Sequence, residues 1–269
     1  MGRDRAEGAA TDLFGSAMIR NGSYQEIELP DDFWLDSAGI FETLRTYGNR
    51  PFALDRHLRR LDLGLSELGI ASPGRMVITE AIALLLEREP FPDGRIRIVV
   101  AGDGSWSITH HEYRPPKGEL RCRLVQRSFS DEPNGQRFKR TDYRERFGIQ
   151  RSALEAGFDD AILTNQDGAL VEGTVCNLLL YIEDQWFTPS HSLGCLAGIT
   201  RELLIENFSL KEALIGTKDL GAVRSAAFIS SLREVQGIKE IDGNLFPDSA
   251  PVEELGAIFH SWILGNLSS

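Results

Sequence analysis

The sequence predicts an α+β protein of two lobes, on three observations. Strand-like and helix-like segments are interleaved without the regular alternation of a doubly wound sheet. No GxGxxG follows a strand, which removes the expectation of a dinucleotide-binding βαβ unit. At 269 residues the chain is long for one compact core and accommodates two of ordinary domain size. The expected boundary lies in YRPPKGE, residues 113–119, where paired prolines and charges interrupt both periodicities. It divides the chain into an N-terminal α+β lobe over 1–115 and a C-terminal α+β lobe over 116–269.

The elements follow in order. GIFETLRTY (39–47) sets Ile40, Glu42 and Leu44 against Phe41, Thr43 and Arg45, then turns at Gly48 and Asn49 into PFAL, a hairpin signal. Asp55 reads as the N-cap of a helix in which Leu58, Leu61, Leu65 and Leu68 recur at helical spacing and Gly69 closes the end. A second helix over about 74–89 carries Val77, Ile78, Ile82, Leu84 and Leu85 on a broad apolar face. RIRIVVAG is a strand with GDGSWSITHHEY as its hairpin partner. Beyond the linker, RCRLVQRSF is a strand, and the polar loop SDEPNGQR leads to Phe138 and Lys139.

A helix over about 142–155 precedes two hairpins, built on Asp167 with Gly168 and on Glu183 with Asp184. Another helix opens near Gly198, AAFISSLREVQGIKEIDGNLF is strand-like, and EELGAIFHSWILGNL is a final amphipathic helix. The first dozen residues are expected to be poorly ordered.

Composition narrows the partners. A net charge of −11 with no sustained basic patch argues against nucleic acid. The start MGRDRAEGAATDLFGSAMIRNGSY lacks the long apolar run of a signal peptide and no later stretch reaches about 20 apolar residues, so the expectation is a soluble protein with no membrane partner. Cys122, Cys176 and Cys195 have neither disulfide nor zinc-site spacing, and read as buried thiols in a reducing cytoplasm with no metal site.

The chemistry is read from two residues. Lys139 and, downstream of it, Glu172 suggest a pyridoxal phosphate (PLP) site. Such a site needs a lysine to hold the aldehyde as a Schiff base and a carboxylate to keep the pyridine nitrogen protonated. Glu172 lies among apolar residues in ALVEGTVCNLLLYI, where a buried carboxylate requires a partner that a pyridinium would supply; the alternative is a strand-edge glutamate in water. Lys139 alone reads as a surface lysine. Among Lys117, Lys139, Lys211, Lys218 and Lys239, however, it is the one just upstream of that acid. Gly198, Ile199 and Thr200 open a helix whose free amides and a hydroxyl suit a phosphate dianion. Ser230 and Ser231 end a strand and offer hydroxyls. Arg60 lies off its helix's leucine stripe, either as a surface arginine or as a bidentate phosphate ligand.

GIFETLRTYGNRPFALDRHLRRL, the segment from Lys139 to Glu172, EGTVCNLLLYIEDQWFTPSHSLGCLAGITRELL and SSLREV, in that order, resemble the fold-type IV PLP enzymes over roughly residues 30–245. This family includes branched-chain and D-amino acid aminotransferases and 4-amino-4-deoxychorismate lyases. The resemblance implies a D-amino acid aminotransferase-like fold, pyridoxal 5'-phosphate between the lobes, and a homodimer. It makes Lys139 the Schiff-base lysine and general acid/base, and Glu172 the pyridinium partner. Arg60, in an HxxR context with His57, would be a phosphate ligand, joined by Ile199, Thr200 and Ser231. Tyr143 falls near a tyrosine that some members place by the cofactor oxygen, at a different offset from the lysine.

Two features depart from the pattern. DSAGIFE stands where relatives often read YGDGVFE, which puts Asp36 in place of a pocket tyrosine. RIRIVVAGDG lacks both the YxRP of branched-chain enzymes and the arginine before glycine of D-amino acid enzymes, so the substrate carboxylate has no assigned ligand. FISSLREV is similar to the NSLRG stretch of the lyases. The implied activity is amino-group transfer between an amino acid or amine and a 2-keto acid. The alternatives are the lyase, which releases pyruvate on the way to p-aminobenzoate, and a PLP-binding protein without turnover.

Overall fold

The computed structural model describes residues 15–28, 34–35, 37–129 and 138–267. The first 14 residues, Asp36 and the loop SDEPNGQR lie outside the described residues.

In the first part of the chain, strands β1 (Gly15–Arg20) and β2 (Ser23–Glu28) form a hairpin. A second hairpin follows in β3 (Ile40–Tyr47) and β4 (Arg50–Pro51). Gly48 and Asn49, at φ 53° and 62°, supply its two-residue turn. Helices α1 (Leu54–Leu68) and α2 (Arg75–Arg88) lead to the hairpin of β5 (Asp93–Val100) and β6 (Trp106–Glu112). The sheet runs β2-β1-β6-β5-β3-β4, antiparallel throughout. Leu58, Leu61 and Leu65 of α1 and Ile78, Ile82 and Leu85 of α2 pack on Ile40, Leu44, Ile96 and Ile98 of the sheet.

The α1 start differs from the sequence reading. Ala53, left-handed at φ 54°, is the N-cap and makes no side-chain cap bond. Asp55 sits inside the first turn and pairs with Arg59 at 2.9 Å and Arg75 at 3.1 Å. An acid there favours the positive end of the helix dipole without capping it, so the same residue gives the same signal from a position inside the helix.

The second sheet begins with β7 (Leu120–Gln126), followed by α3 (Arg144–Glu155), β8 (Asp160–Thr164), β9 (Leu170–Gly173), β10 (Asn177–Ile182) and β11 (Gln185–Pro189). Then come α4 (Ile199–Asn207), β12 (Lys211–Ala213), β13 (Ser225–Ser230), β14 (Glu234–Ile241), β15 (Asn244–Leu245) and α5 (Ala250–Gly265). Its order is β12-β11-β10-β13-β14-β7-β8-β9, with β15 on β14. Because β7 pairs parallel with β8, the chain must cross over between them, and the crossover carries Lys139 and α3. Leu203 and Leu204 of α4 and Leu255, Phe259 and Ile263 of α5 pack on Leu179, Ala227 and Ile229, and Tyr47 and Phe52 from the first part of the chain join that core. The α+β expectation holds.

Among the described residues, contacts at β3 help to join the two sheets. Residues around Lys139 run beside β3: Ile40 bridges Arg140, the Phe41 amide donates to the Lys139 carbonyl at 2.9 Å, and the Gly39 amide donates to Thr141 Oγ1 at 2.8 Å. Glu234 of β14 receives Arg45 and the Tyr47 hydroxyl from β3, and lies 2.9 Å from His260 Nδ1 of α5. Among the described residues no helix is long and apolar enough to cross a membrane.

Candidate active site

A cavity of about 440 Å³ opens between the sheets, and Lys139, Glu172, Arg60, Ile199, Thr200, Ser231 and Tyr143 all line it. Local structure explains the position of Lys139. Its backbone is pinned to β3, so the side chain enters among the rings of Phe41 and Tyr143, with Nζ 4.5 Å and 5.3 Å from their centroids. Burial disfavours the ammonium form and the nearby charges of Arg60 and Arg97 do the same, against the opposing Glu42, so its pKa falls to about 8. At pH 7 roughly a tenth of the amine is therefore the nucleophilic free base, far more than for a lysine in water.

Arg60 is 8% exposed, which removes the surface-arginine alternative. Its fork is committed elsewhere than to a bound anion. Nε and Nη2 each donate at 2.7 Å to the two oxygens of Glu42, and Nη1 donates to the Ala197 carbonyl at 2.7 Å. Of its five N–H donors, one on Nη1 and one on Nη2 remain for a phosphate, so the bidentate fork expected from sequence holds Glu42 instead. His57 stands on the other side of that carboxylate, with Nδ1 2.7 Å from Glu42 Oε2. Burial lowers the His57 pKa and keeps the ring neutral; with Nδ1–H donating to Glu42, Nε2 accepts from the Ser231 hydroxyl at 3.3 Å.

Ile199 and Thr200 begin α4, directly after Gly198, so the first-turn amides of that helix border the same cavity. A Cβ at Gly198 would stand 2.0 Å from Asn177 Oδ1, and the Asn177 side chain is itself held by donating to the Leu196 carbonyl at 2.9 Å. Gly198→Ala is accordingly expected to displace the α4 start and weaken PLP binding by about tenfold, the worth of a favourable helix-terminus anion contact. Fluorescence titration of the apoprotein with PLP reads this directly.

Glu172 lies in β9, the edge strand of the second sheet, yet is only 2% exposed, which excludes the alternative of a glutamate in water. The Leu196 amide donates to Oε2 at 3.0 Å, and Arg146 Nη2 of α3 lies 2.7 Å from Oε1. Oε1 nevertheless accepts no directed hydrogen bond among the described residues. A buried acceptor with open capacity, a lysine with a lowered pKa and a glycine-cleared helix start together fit PLP.

Several cavity positions escaped the sequence reading. Arg146, seven residues after Lys139 and in the first turn of α3, lies against Tyr143 and reaches Glu172. Arg95 and Arg97, two apart on one face of β5, also line the cavity, as does Arg233 of SSLREV, which Asp160 holds at 3.1 Å. The cavity wall is thus basic within an acidic chain, and favours anions bearing phosphate or carboxylate. Cys122, Cys176 and Cys195 are buried free thiols, and burial raises Cys195 to about 12, which leaves it protonated.

Fold and cavity together define a PLP-dependent enzyme of fold type IV. Residues 39–241 match the family Amino-transferase class IV, and the chain belongs to that family. It is 29% identical over 213 residues to the aminodeoxychorismate lyase of Bacillus subtilis (strain 168), covering 70% of this chain and 72% of that one. It is 25% identical over 228 residues to a probable branched-chain-amino-acid aminotransferase of Rickettsia felis, covering 77% and 78%. A hypothetical aminotransferase from Mycobacterium tuberculosis, in its PLP-bound form, shares the fold at a TM-score of 0.82 and 17% identity over 93% of this chain and 99% of that one.

Proposed function

We propose that the protein transfers an amino group between an amino acid or amine and a 2-keto acid. The observation that carries this reading is the convergence of Lys139, its pKa lowered to about 8, and the buried Glu172 on one basic cavity. When bound, PLP supplies an aldehyde carbon for amine exchange and a ring that withdraws electrons from the substrate α-carbon. Lys139 would hold the aldehyde and yield that place to the substrate amine. Its freed Nζ would take the α-proton of the substrate and deliver it to the former aldehyde carbon of the cofactor, and would carry it back in the reverse direction. Glu172 would hold the proton of the ring nitrogen. The α4 start, Ser231 and the remaining donors of Arg60 would hold the phosphate, and Tyr143 would flank the ring. Arg95, Arg97 and Arg233 favour a substrate with a carboxylate over a plain amine.

The runner-up is aminodeoxychorismate lyase, favoured by the Bacillus subtilis relative. Purified protein mixed with L- and D-amino acids separates the two. Transamination predicts that one amino acid bleaches the visible cofactor band and that pyruvate or 2-oxoglutarate restores it. Pyruvate release from aminodeoxychorismate without any acceptor would replace this reading with the lyase.

We also infer a cytoplasmic homodimer of chains divided into lobes at 1–115 and 116–269. The buried free thiols fit a reducing compartment. Sedimentation of the holoprotein tests the dimer.

A further inference from the structure

We propose that Arg146 is the positioning residue of the cofactor's ring-nitrogen site: it supplies the counter-charge for Glu172 and aims Oε1 at the cavity. The inference rests on the PLP reading above and goes beyond it, because that reading assigns Glu172 to the ring nitrogen without saying what holds and balances the carboxylate.

The geometry has three parts. First, the two side chains are 5% and 3% exposed, and Arg146 Nη2 lies 2.7 Å from Glu172 Oε1. A carboxylate this deep is costly without a neighbouring cation, and the pair already exists without any ligand. Second, Oε1 receives the charge of Arg146 but no directed N–H, while Oε2 is taken by the Leu196 amide. One oxygen is thus locked and the other keeps an open lone pair, which is the division of labour a ring N–H requires. Third, Arg146 is itself placed by its surroundings. It lies 5.3 Å from the centroid of the Tyr143 ring, whose centroid is also 5.3 Å from Lys139 Nζ, and Nη1 donates to the Thr174 carbonyl at 3.5 Å. Lys139 in the segment pinned to β3, Tyr143 at the N-cap of α3 and Arg146 in the first turn of that helix therefore lead in space from the amine to the carboxylate.

A double-mutant cycle on PLP affinity tests the assignment, using apoprotein titrated with PLP and the visible band of the reconstituted holoprotein. R146M is expected to weaken PLP binding by about tenfold or more and to shift the pH dependence of the visible band, and R146K to recover most of both, since a retained cation is what matters. In the E172Q background R146M is expected to add less than about twofold, because its effect passes through Glu172.

The proposal is overturned if R146M costs the same factor in the E172Q background as it does with Glu172 intact, the signature of a merely structural arginine. It is also overturned if R146M leaves affinity and spectrum unchanged. Should R146M fail to fold, R146Q replaces it: a glutamine variant that retains wild-type affinity would show that charge is unnecessary, and overturn the proposal equally. Wild-type protein that binds no PLP would overturn the cofactor reading itself, and this assignment with it, an outcome separate from a wild type that binds and an R146M that does so equally well.

Discussion

Lys139→Met is expected to abolish amino-group transfer, by about 10⁴-fold or more, while leaving the fold at least as stable as before. The two halves of this expectation have one cause. The Lys139 amine is held away from water among Phe41 and Tyr143 and beside Arg60, an environment that penalises its charged form and lowers its pKa to about 8 from 10.5. That penalty makes the amine reactive, and the native state bears it. A methionine of similar length fills the same space without a charge, so it removes the nucleophile and the penalty together.

The sign of the pH dependence follows. Between about 8 and 10.5 the unfolded chain still binds the lysine proton that the native state has released, so wild-type stability rises with pH across that window. Below about 8 both states are protonated and the penalty is present in full. Urea melts of the apoprotein at a series of pH values should show this rise in wild type and its absence in K139M. Single-turnover assays with the amino acid that bleaches wild type should show no bleaching in the variant. Residual amine-dependent turnover in K139M, or reduction trapping PLP on another lysine, would remove the mechanism.

How far the sequence reveals this site depends on which forces place each residue. Local signals are legible: the Gly48–Asn49 turn, the Gly69 helix end at φ 65° and the buried leucines of α1 are all visible in periodicity and turn chemistry. Asp55 shows the limit of such signals, since a first-turn acid and an N-cap acid are the same letter a position or two apart. Arg60 shows a different limit. Helical periodicity places it off the leucine stripe because the stripe faces only the first sheet. The surface that buries Arg60 comes from Ala197, far along the chain, and from Glu42 on β3.

Glu42 itself was hidden by alternation, which reads an inward glutamate as one polar position in a strand. In the fold all eight residues of β3 are buried, because helices cover one face of its sheet and the cavity and second sheet lie on the other. Arg146 was the most accessible of the missed residues. Its spacing from Lys139 and Tyr143 is local, and only the identity of its partner needed three dimensions.

Glu42→Ala is expected to produce the largest loss of stability, about 3–5 kcal/mol, because it leaves Arg60 buried with a carbonyl as its remaining partner. Glu42 is fully buried, and burial alone would raise its pKa. The Arg60 guanidinium, bonded through Nε and Nη2, and His57 on the opposite side outweigh that and hold it at about 2. The carboxylate therefore contributes stability that is complete above the ordinary value of 4.5 and is lost as pH falls toward about 2, a window in which wild type should destabilise more steeply than E42A.

Stability and cofactor binding can be separated at this pair. Glu42→Met with Arg60→Met replaces two buried charges by apolar groups, and should recover most of the stability that E42A loses, since the unpaired guanidinium is gone. It should not recover PLP affinity, because the donors that Arg60 keeps for a phosphate are gone as well. Urea melts and PLP titrations of E42A and of the double variant measure the two quantities independently. An E42A protein within about 1 kcal/mol of wild type would mean that water or a shifted side chain compensates Arg60. A double variant with wild-type PLP affinity would show that the α4 start and Ser231 hold the phosphate without the arginine, and would confine the Glu42–Arg60 pair to joining helix α1 to strand β3.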